Sequence, residues 1–355
     1  MIGWRTPIKI GATLACGAMV LPALSETAHG QGCEPIRFTT PVNLGGEGLY
    51  YQPKNEWQLT LAYRRLVSSD WFVGTRENSA LAPGGKSPVF RINTGIADVA
   101  YAISDRYRVR VSVPFSSGSL SRTWPDKAVH EQTARGVGDV SVIGEAWALA
   151  PRTNERGNFS FGLGLKMPTG SHTSESQFYT ASGAVDFPAD QTIQPGDGGW
   201  AVLLQTRGFR RITERSFGYA FASYMVSPKK RSDVQWVPNS NQFWAVPDVY
   251  SARLGGAFSV LPDQGLSMSL GARIDGIPVH DLFGGGDNET IKRTAYVIFA
   301  DPGLSFSRGR SLVTLSVPYR LAVNRQKSLF EQRTNALNAG GFAKHLIFAS
   351  YTHRL

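Results

Sequence analysis

The sequence predicts an all-β fold, a transmembrane antiparallel β-barrel of about twelve strands with short periplasmic turns and long extracellular loops. Three observations predict it. Apolar and polar side chains alternate in segments that recur to the end of the chain, the connections between those segments alternate between short and long, and no apolar stretch is long enough for a membrane-crossing helix.

The chain opens with a different signature. Arg5 and Lys9 give a basic start, Ile10 to Leu24 is apolar, and Ala28 and Gly30 place small side chains just before Gln31. This is the layout of a secretory signal peptide, residues 1–30, cleaved after Gly30. Cys33 invites a second reading, a lipidated first residue, but Gly30 stands where a lipoprotein signal carries a branched apolar residue. With Cys16 lost in the leader, the mature chain keeps one cysteine and forms no internal disulfide. Removing Arg5, Lys9 and Glu26 takes the formal charge from +10 to about +9. The positive charge is spread singly instead of in blocks, which argues against a nucleic-acid partner and for a lined interior.

Residues 31–56, with Gly45-Gly46-Glu47-Gly48 inside, read as a periplasmic tail or a segment folded into the lumen; the barrel occupies 57–355. Its strands follow in order. Trp57, Leu59, Leu61 and Tyr63 share one parity and Gln58, Thr60 and Arg64 the other. The same pattern runs through Tyr107 to Phe115, Phe159 to Met167 and Leu266 to Ile274. Weaker segments complete the set: Thr94 to Ile103, Asp139 to Leu149, Trp200 to Phe209, Ser216 to Val226, Val249 to Val260, Ala295 to Ser305, Leu312 to Tyr319 and Ala343 to Leu355.

The short links are Ser104 to Arg106, Pro151 to Asn158, Arg210 to Arg215, Leu261 to Gly265 and Phe306 to Ser311. Between them fall long ones: Val67 to Asn93, Ser116 to Gly138, Pro168 to Gly199, Ser227 to Asp248, Gly276 to Thr294 and Arg320 to Phe342. Connections of that length are uncommon in compact soluble domains. In an outer-membrane barrel they are the external loops, and both termini then lie on the periplasmic side. Pro114, Pro168 and Pro318 are expected where strand pairing stops, since proline lacks the ladder N–H. The last strand keeps its parity through Ile347, Ala349 and Tyr351, although His353 interrupts it and the end is Leu355, not an aromatic.

An arginine facing lipid at the midplane costs about 2–4 kcal/mol. Parity therefore sends Arg64, Arg108, Arg110, Lys166, Arg207, Arg253 and Arg273 into the lumen, together with Glu145 and Asp275. These nine residues are the expected channel lining. Their surplus of cations favours anions; the bland alternative is that they pair with Glu145, Asp139 and Asp275 in a network filling a narrow bore. Trp57, Tyr63, Tyr107, Phe115, Phe159, Phe217, Tyr219 and Tyr250 are expected in the interfacial aromatic girdles. Trp124, Trp236, Phe243 and Trp244 suit loop packing better than ligand stacking.

No residue set asks for a cofactor or a metal. Gly136-Val137-Gly138 lacks the strand-to-helix context of a dinucleotide site. Asp281, Asp287 and Glu289 carry oxygen ligands without EF-hand spacing. His172, Ser174 and Glu175, and His280 beside Asp281, are the only hints of hydrolysis.

The order Gly136-Val137-Gly138-Asp139-Val140, Gly164-Leu165-Lys166-Met167-Pro168-Thr169-Gly170 and Gly276-Ile277-Pro278-Val279-His280-Asp281-Leu282-Phe283-Gly284-Gly285, with Asp301-Pro302-Gly303-Leu304 and Ser316-Val317-Pro318, resembles the outer-membrane transporter family named for a protein of the phenol meta-cleavage pathway. The resemblance runs from about Ile92 to the C-terminus and names no catalytic residue. It implies a porin-like barrel in outer-membrane lipid that passes small organic, often aromatic or apolar, solutes. An outer-membrane hydrolase and an adhesive barrel that binds partners through its loops are the alternatives. A homo-oligomer is left open.

Overall fold

The computed structural model describes residues 51–78, 88–283 and 290–355. Residues 1–30, expected as a signal peptide, Cys33 and most of the 31–56 segment lie outside them, as do Gly284, Gly285, Asp287 and Glu289. No described helix is long and apolar enough to cross a membrane.

The chain climbs and descends in turn. β1 (Trp57–Val73) rises and ends beside the two-residue β2 (Arg76–Glu77); β3 (Val89–Ala102) descends and β4 (Tyr107–Thr123) rises. β5 (Val129–Val137) and β6 (Ser141–Trp147) together return. β7 (Gly157–Lys166) leads into a separate hairpin, β8 (Glu175–Thr180) and β9 (Gly183–Pro188). The wall resumes with β10 (Ala201–Arg211) and β11 (Ser216–Val226), and short strands β12 (Arg231–Gln235) and β13 (Phe243–Ala245) fill the next connection. Then come β14 (Val249–Leu261), β15 (Leu266–Ile277), the small β16 (Thr290–Ile291) and β17 (Ala295–Arg308). β18 (Ser311–Ser316) and β19 (Tyr319–Arg325) form one broken upward strand, helix α1 (Leu329–Thr334) follows, and β20 (Ala339–Arg354) closes the ring.

Closure is explicit in the register. β20 pairs with β1 from Gln58 opposite Arg354 to Val73 opposite Ala339, so the first and last strands leave no free edge. The result is a closed antiparallel barrel of twelve wall strands. The expected strands all fall on these, but several run further outward. β1 continues to Val73 and β3 begins at Val89, while β4 and β5 pair as a hairpin from Phe115 opposite Val137 to Thr123 opposite Val129. What the sequence presented as long loops is therefore partly wall, because those segments lose the apolar outward parity once they leave lipid.

Two prolines correct the expectation that they mark the end of pairing. Pro114 lies inside β4, opposite Ile96, where the strand exchanges partner from β6 to β5; its carbonyl accepts from Gly138 N at 2.8 Å. Pro318 marks a break within a continuing strand, and its carbonyl accepts from Leu346 N at 3.0 Å. A missing N–H is tolerated wherever the ladder changes hands.

The outer surface is apolar and the inner surface polar. Leu163 is 64% exposed and Leu254 68%, whereas Ser160, Lys166, Ser251 and Arg253 on the opposite faces of the same strands are buried. This inversion of a soluble protein is the mark of a barrel in lipid. Trp57, Tyr63, Tyr107, Phe115 and Phe159 are exposed as girdle residues should be. Phe217 and Tyr219 are not: both are buried on the inner face of β11, whose outward positions are Gly218, Ala220 and Ala222. The Tyr219 ring crosses Gly255 and Gly271, where an added Cβ would come 2.5 and 2.7 Å from its hydroxyl. Tyr250 is half-buried, laid over Gly276.

Arginine in place of Leu163, at the centre of the lipid face, is expected to cost about 2–4 kcal/mol in reversible urea unfolding in lipid vesicles. An equal stability for Leu163→Arg would contradict the assignment of that face.

Candidate functional site: the barrel interior

The inward positions near the short turns converge on one carboxylate. Glu145, near the end of β6, receives Arg108 at 2.6 Å, Arg207 at 3.2 Å and Arg110 at 3.4 Å, and Arg110 also donates to Gln205 Oε1 at 2.9 Å. Strand register makes the meeting inevitable, since Arg108 lies opposite Glu145 and Glu145 opposite Gly162, itself opposite Gln205. Gly162 leaves the room that Glu145 and Gln205 occupy. Below this cluster the mouth is aromatic. Arg207 stacks over Trp147 at 4.9 Å, and Tyr51 sits edge-on to Trp147 and Phe209 with ring centroids 4.9 and 5.5 Å away. Tyr51 donates to Asn154 O at 2.7 Å, and Gln52 to Glu56 O and Ala100 O, so the start of the described chain is seated in the mouth.

At mid-height the charges balance more evenly. Arg253 meets Asp301 at 2.5 Å, and Ser316 Oγ donates to the other oxygen of that carboxylate. Arg273 donates to Asp275 at 2.7 Å and lies over Phe348 at 4.4 Å. Buried Arg64 stands in the combined field of Arg273, Asp275 and Asp98. All nine residues singled out from parity point inward, and Arg108, Arg110 and Arg207 pair with Glu145, Lys166 with Asp139 and Asp197, Arg253 with Asp301 and Arg273 with Asp275. The pairing weighed as the bland alternative is present.

The outer half of the bore is filled by the chain itself. Residues 191–197 are all buried, and Asp190, just before them, donates no freedom either: its carboxylate receives Arg293 Nη2 at 2.8 and 3.0 Å. Asp190 belongs to the connection after β9, whereas Arg293 precedes β17 on the far side of the ring, so the connection crosses the barrel. Ile193 packs into an apolar cluster with Leu66, Phe90, Leu120, Phe299 and Phe342. These inward apolar positions depart from the expected polar lining.

A latch holds this segment. Lys166 Nζ donates to Asp139 at 3.0 Å and to Asp197 at 2.5 Å. Asp139 also accepts from Gly170 N and Asp197 N, and Thr169 Oγ1 donates to Gly138 O. Backbones approach so closely that a Cβ on Gly170 would meet Gly138 at 2.8 Å and Gly196 at 3.0 Å. Two of the sequence motifs thus meet at a third segment, Pro195 to Gly199, which sequence reasoning passed over. Its only signal was the turn-prone Pro-Gly-Asp-Gly-Gly composition.

The third motif builds a second joint. Lys292 donates to Asp281 at 2.6 Å, Asp281 accepts from Asp248 N, and Asp248 accepts from Ser227 N, Leu282 N and Tyr224 Oη. Burial pushes the Asp281 carboxyl up and the Lys292 ammonium down, each in the direction that discourages charge. Asp281 is therefore committed to the loop joint. Among the described residues no cluster of His, Cys, Asp and Glu has metal-binding geometry.

His172 and Ser174 do not converge. His172 lies against Gly198 and faces Asp233 at 3.7 Å, while Ser174 Oγ donates to Ser171 Oγ. The loop aromatics pack: Arg122 covers Trp124 at 3.7 Å and Arg293 covers Trp244 at 4.2 Å.

A closed barrel with an apolar exterior and a charged, buried interior defines an outer-membrane β-barrel protein, and the Gram-negative outer membrane is its location. No family model and no curated protein matches the sequence. Among solved structures, an outer membrane channel from Pseudomonas putida F1 is similar with a TM-score of 0.61 and 16% identity, over 89% of this chain and 100% of that one. A Pseudomonas aeruginosa FadL homologue (TM-score 0.40, 11% identity, 84% and 90% covered) and the P. putida toluene transporter TodX (0.40, 9%, 85% and 90%) are more distant. The first of these shows the fold.

Two substitutions test the joints. Lys292→Met leaves a buried carboxylate without its cation and should lose about 3–5 kcal/mol near neutral pH. Because the folded state then holds a proton more tightly than the unfolded state, the deficit should shrink as unfolding is measured at lower pH. Asp197→Asn removes one charged hydrogen bond of about 1.5–3 kcal/mol, so amide exchange at 189–199 should accelerate about tenfold or more while β7 and β10 stay protected.

Proposed function

We propose that the protein is a channel for small organic solutes, with a preference for anions that carry an aromatic or apolar body. The observation that carries this reading is the set of three arginines around the single carboxylate of Glu145, directly above the Tyr51, Trp147 and Phe209 rings. One carboxylate offsets one of three guanidiniums, so this level of the bore keeps a positive surplus, and an arginine over an aromatic face suits a flat carboxylate. The solved P. putida F1 structure is described as an outer membrane channel, which agrees with the reading. Arg64, Arg108, Arg110, Glu145, Lys166, Arg207, Arg253, Arg273 and Asp275 are the lining in this proposal. The connection 189–199 is the element that a solute must pass. In this reading residues 1–30 are the export leader, and Tyr51 and Gln52 seat the chain ahead of β1 in the inner mouth.

In planar bilayers under a salt gradient, the wild type should give a reversal potential of anion-selective sign. Arg108→Gln with Arg207→Gln should move that potential toward zero, and Glu145→Gln should increase it. Benzoate serves as the uptake probe in liposomes. A protein that neither conducts nor admits benzoate would remove the transport reading.

A further inference from the structure

The outer face of the barrel changes character along one line of the sheet. Tyr63, Gly95, Phe115 and Val137 lie side by side on β1, β3, β4 and β5, and the three with side chains are 40%, 54% and 49% exposed. They form the last apolar row. One row further toward the long connections, the outward residues are Arg65, Asn93, Ser117 and Arg135, again in direct register. The next row is Val67, Arg91, Ser119 and Thr133. Arg65, Arg91 and Arg135 are all exposed, as are Lys344 and His345 on the adjoining β20.

These cations differ from those of the interior. Among the described residues no carboxylate pairs with Arg65, Arg91 or Arg135; Glu131, on the same face, stands opposite Ser121, two rows beyond Arg65 and Arg135 and one row beyond Arg91. Side-chain hydroxyls of Ser117, Ser119 and Thr133 lie between them and offer additional donors. Across four strands at about 4.8 Å spacing, the patch spans about 15 Å.

We propose that this patch binds the phosphate groups of the phosphorylated glycolipid in the outer leaflet. The argument is position and charge together. An arginine at the lipid midplane is costly, but at the edge of the apolar band the penalty falls to about 0–1 kcal/mol. There a guanidinium meets the headgroup layer, and its fork geometry matches phosphate oxygens. The acyl chains of the same lipid would lie along Phe115, Val113, Val111 and Val137, which continue the patch downward on the exposed face. Three guanidiniums spread over the patch suit a headgroup with two separated phosphates better than a single free anion.

The test is binding of bisphosphorylated lipid A and of its dephosphorylated form to the full-length mature protein in detergent, read by native mass spectrometry. The wild type should prefer the bisphosphorylated form, and Arg65→Gln, Arg91→Gln and Arg135→Gln together should lower that preference about tenfold or more. The lysine counterparts, R65K with R91K and R135K, should keep most of it, and they also answer for the glutamine variant if that one fails to fold. Arg308→Gln with Arg310→Gln, at the opposite rim, should leave it unchanged. An unchanged preference in the glutamine variant, or none in the wild type, overturns the proposal. So does equal competition by inorganic phosphate at the same concentration, which would assign the patch to free anions.

Discussion

Everything in this molecule answers to the demand that hydrocarbon makes on backbone amides: each N–H and C=O inside the membrane must find its partner in the protein. A sheet can meet that demand only by leaving no edge, and the pairing of β1 with β20 over the length of both strands does so. Once the sheet is closed, outward and inward positions follow from the pleat alone. Within the apolar band leucines and aromatics go to lipid, and charged side chains have one remaining direction.

That direction is expensive in its own way. A buried charge needs a partner, and a buried pair contributes little net stability compared with apolar packing of the same volume. What the pairs supply here is position. Glu145 gathers three arginines from two strands, β4 beside it and β10 two strands away, Lys166 joins two aspartates from separate connections, and Asp190 reaches Arg293 across the bore. Where the chain must fill space without specific chemistry, it uses Ile193, Phe299 and Phe342 instead.

The strands were legible in the sequence because alternation is a local property, repeated every two residues, and lipid enforces it. Inward arginines were legible for the same reason. Their partners were harder to read. Glu145 lies on a neighbouring strand and was anticipated, but Asp197 and Asp301 reach their cations through folding of connections and through register many residues away. The inward turn of Phe217 and Tyr219 escaped because large residues on alternate positions look the same whichever side they take; Gly255 and Gly271 decide it from two other strands. The extended hairpin of β4 and β5 escaped because beyond Phe115 and Val137 its outward residues are mostly serines, threonines, Glu131 and Arg135, which read as loop.

The segment that fills the outer bore is not a separately folded cork. It leaves β7 after Lys166 and returns at Ala201, and those two residues are direct partners in the wall. A leash with both ends fixed on adjacent strands enters and leaves the bore without interrupting the ladder of the ring that holds it. The contents of the bore and the wall around it are therefore set by separate stretches of one chain, and a change in the leash leaves the pairing of the wall untouched.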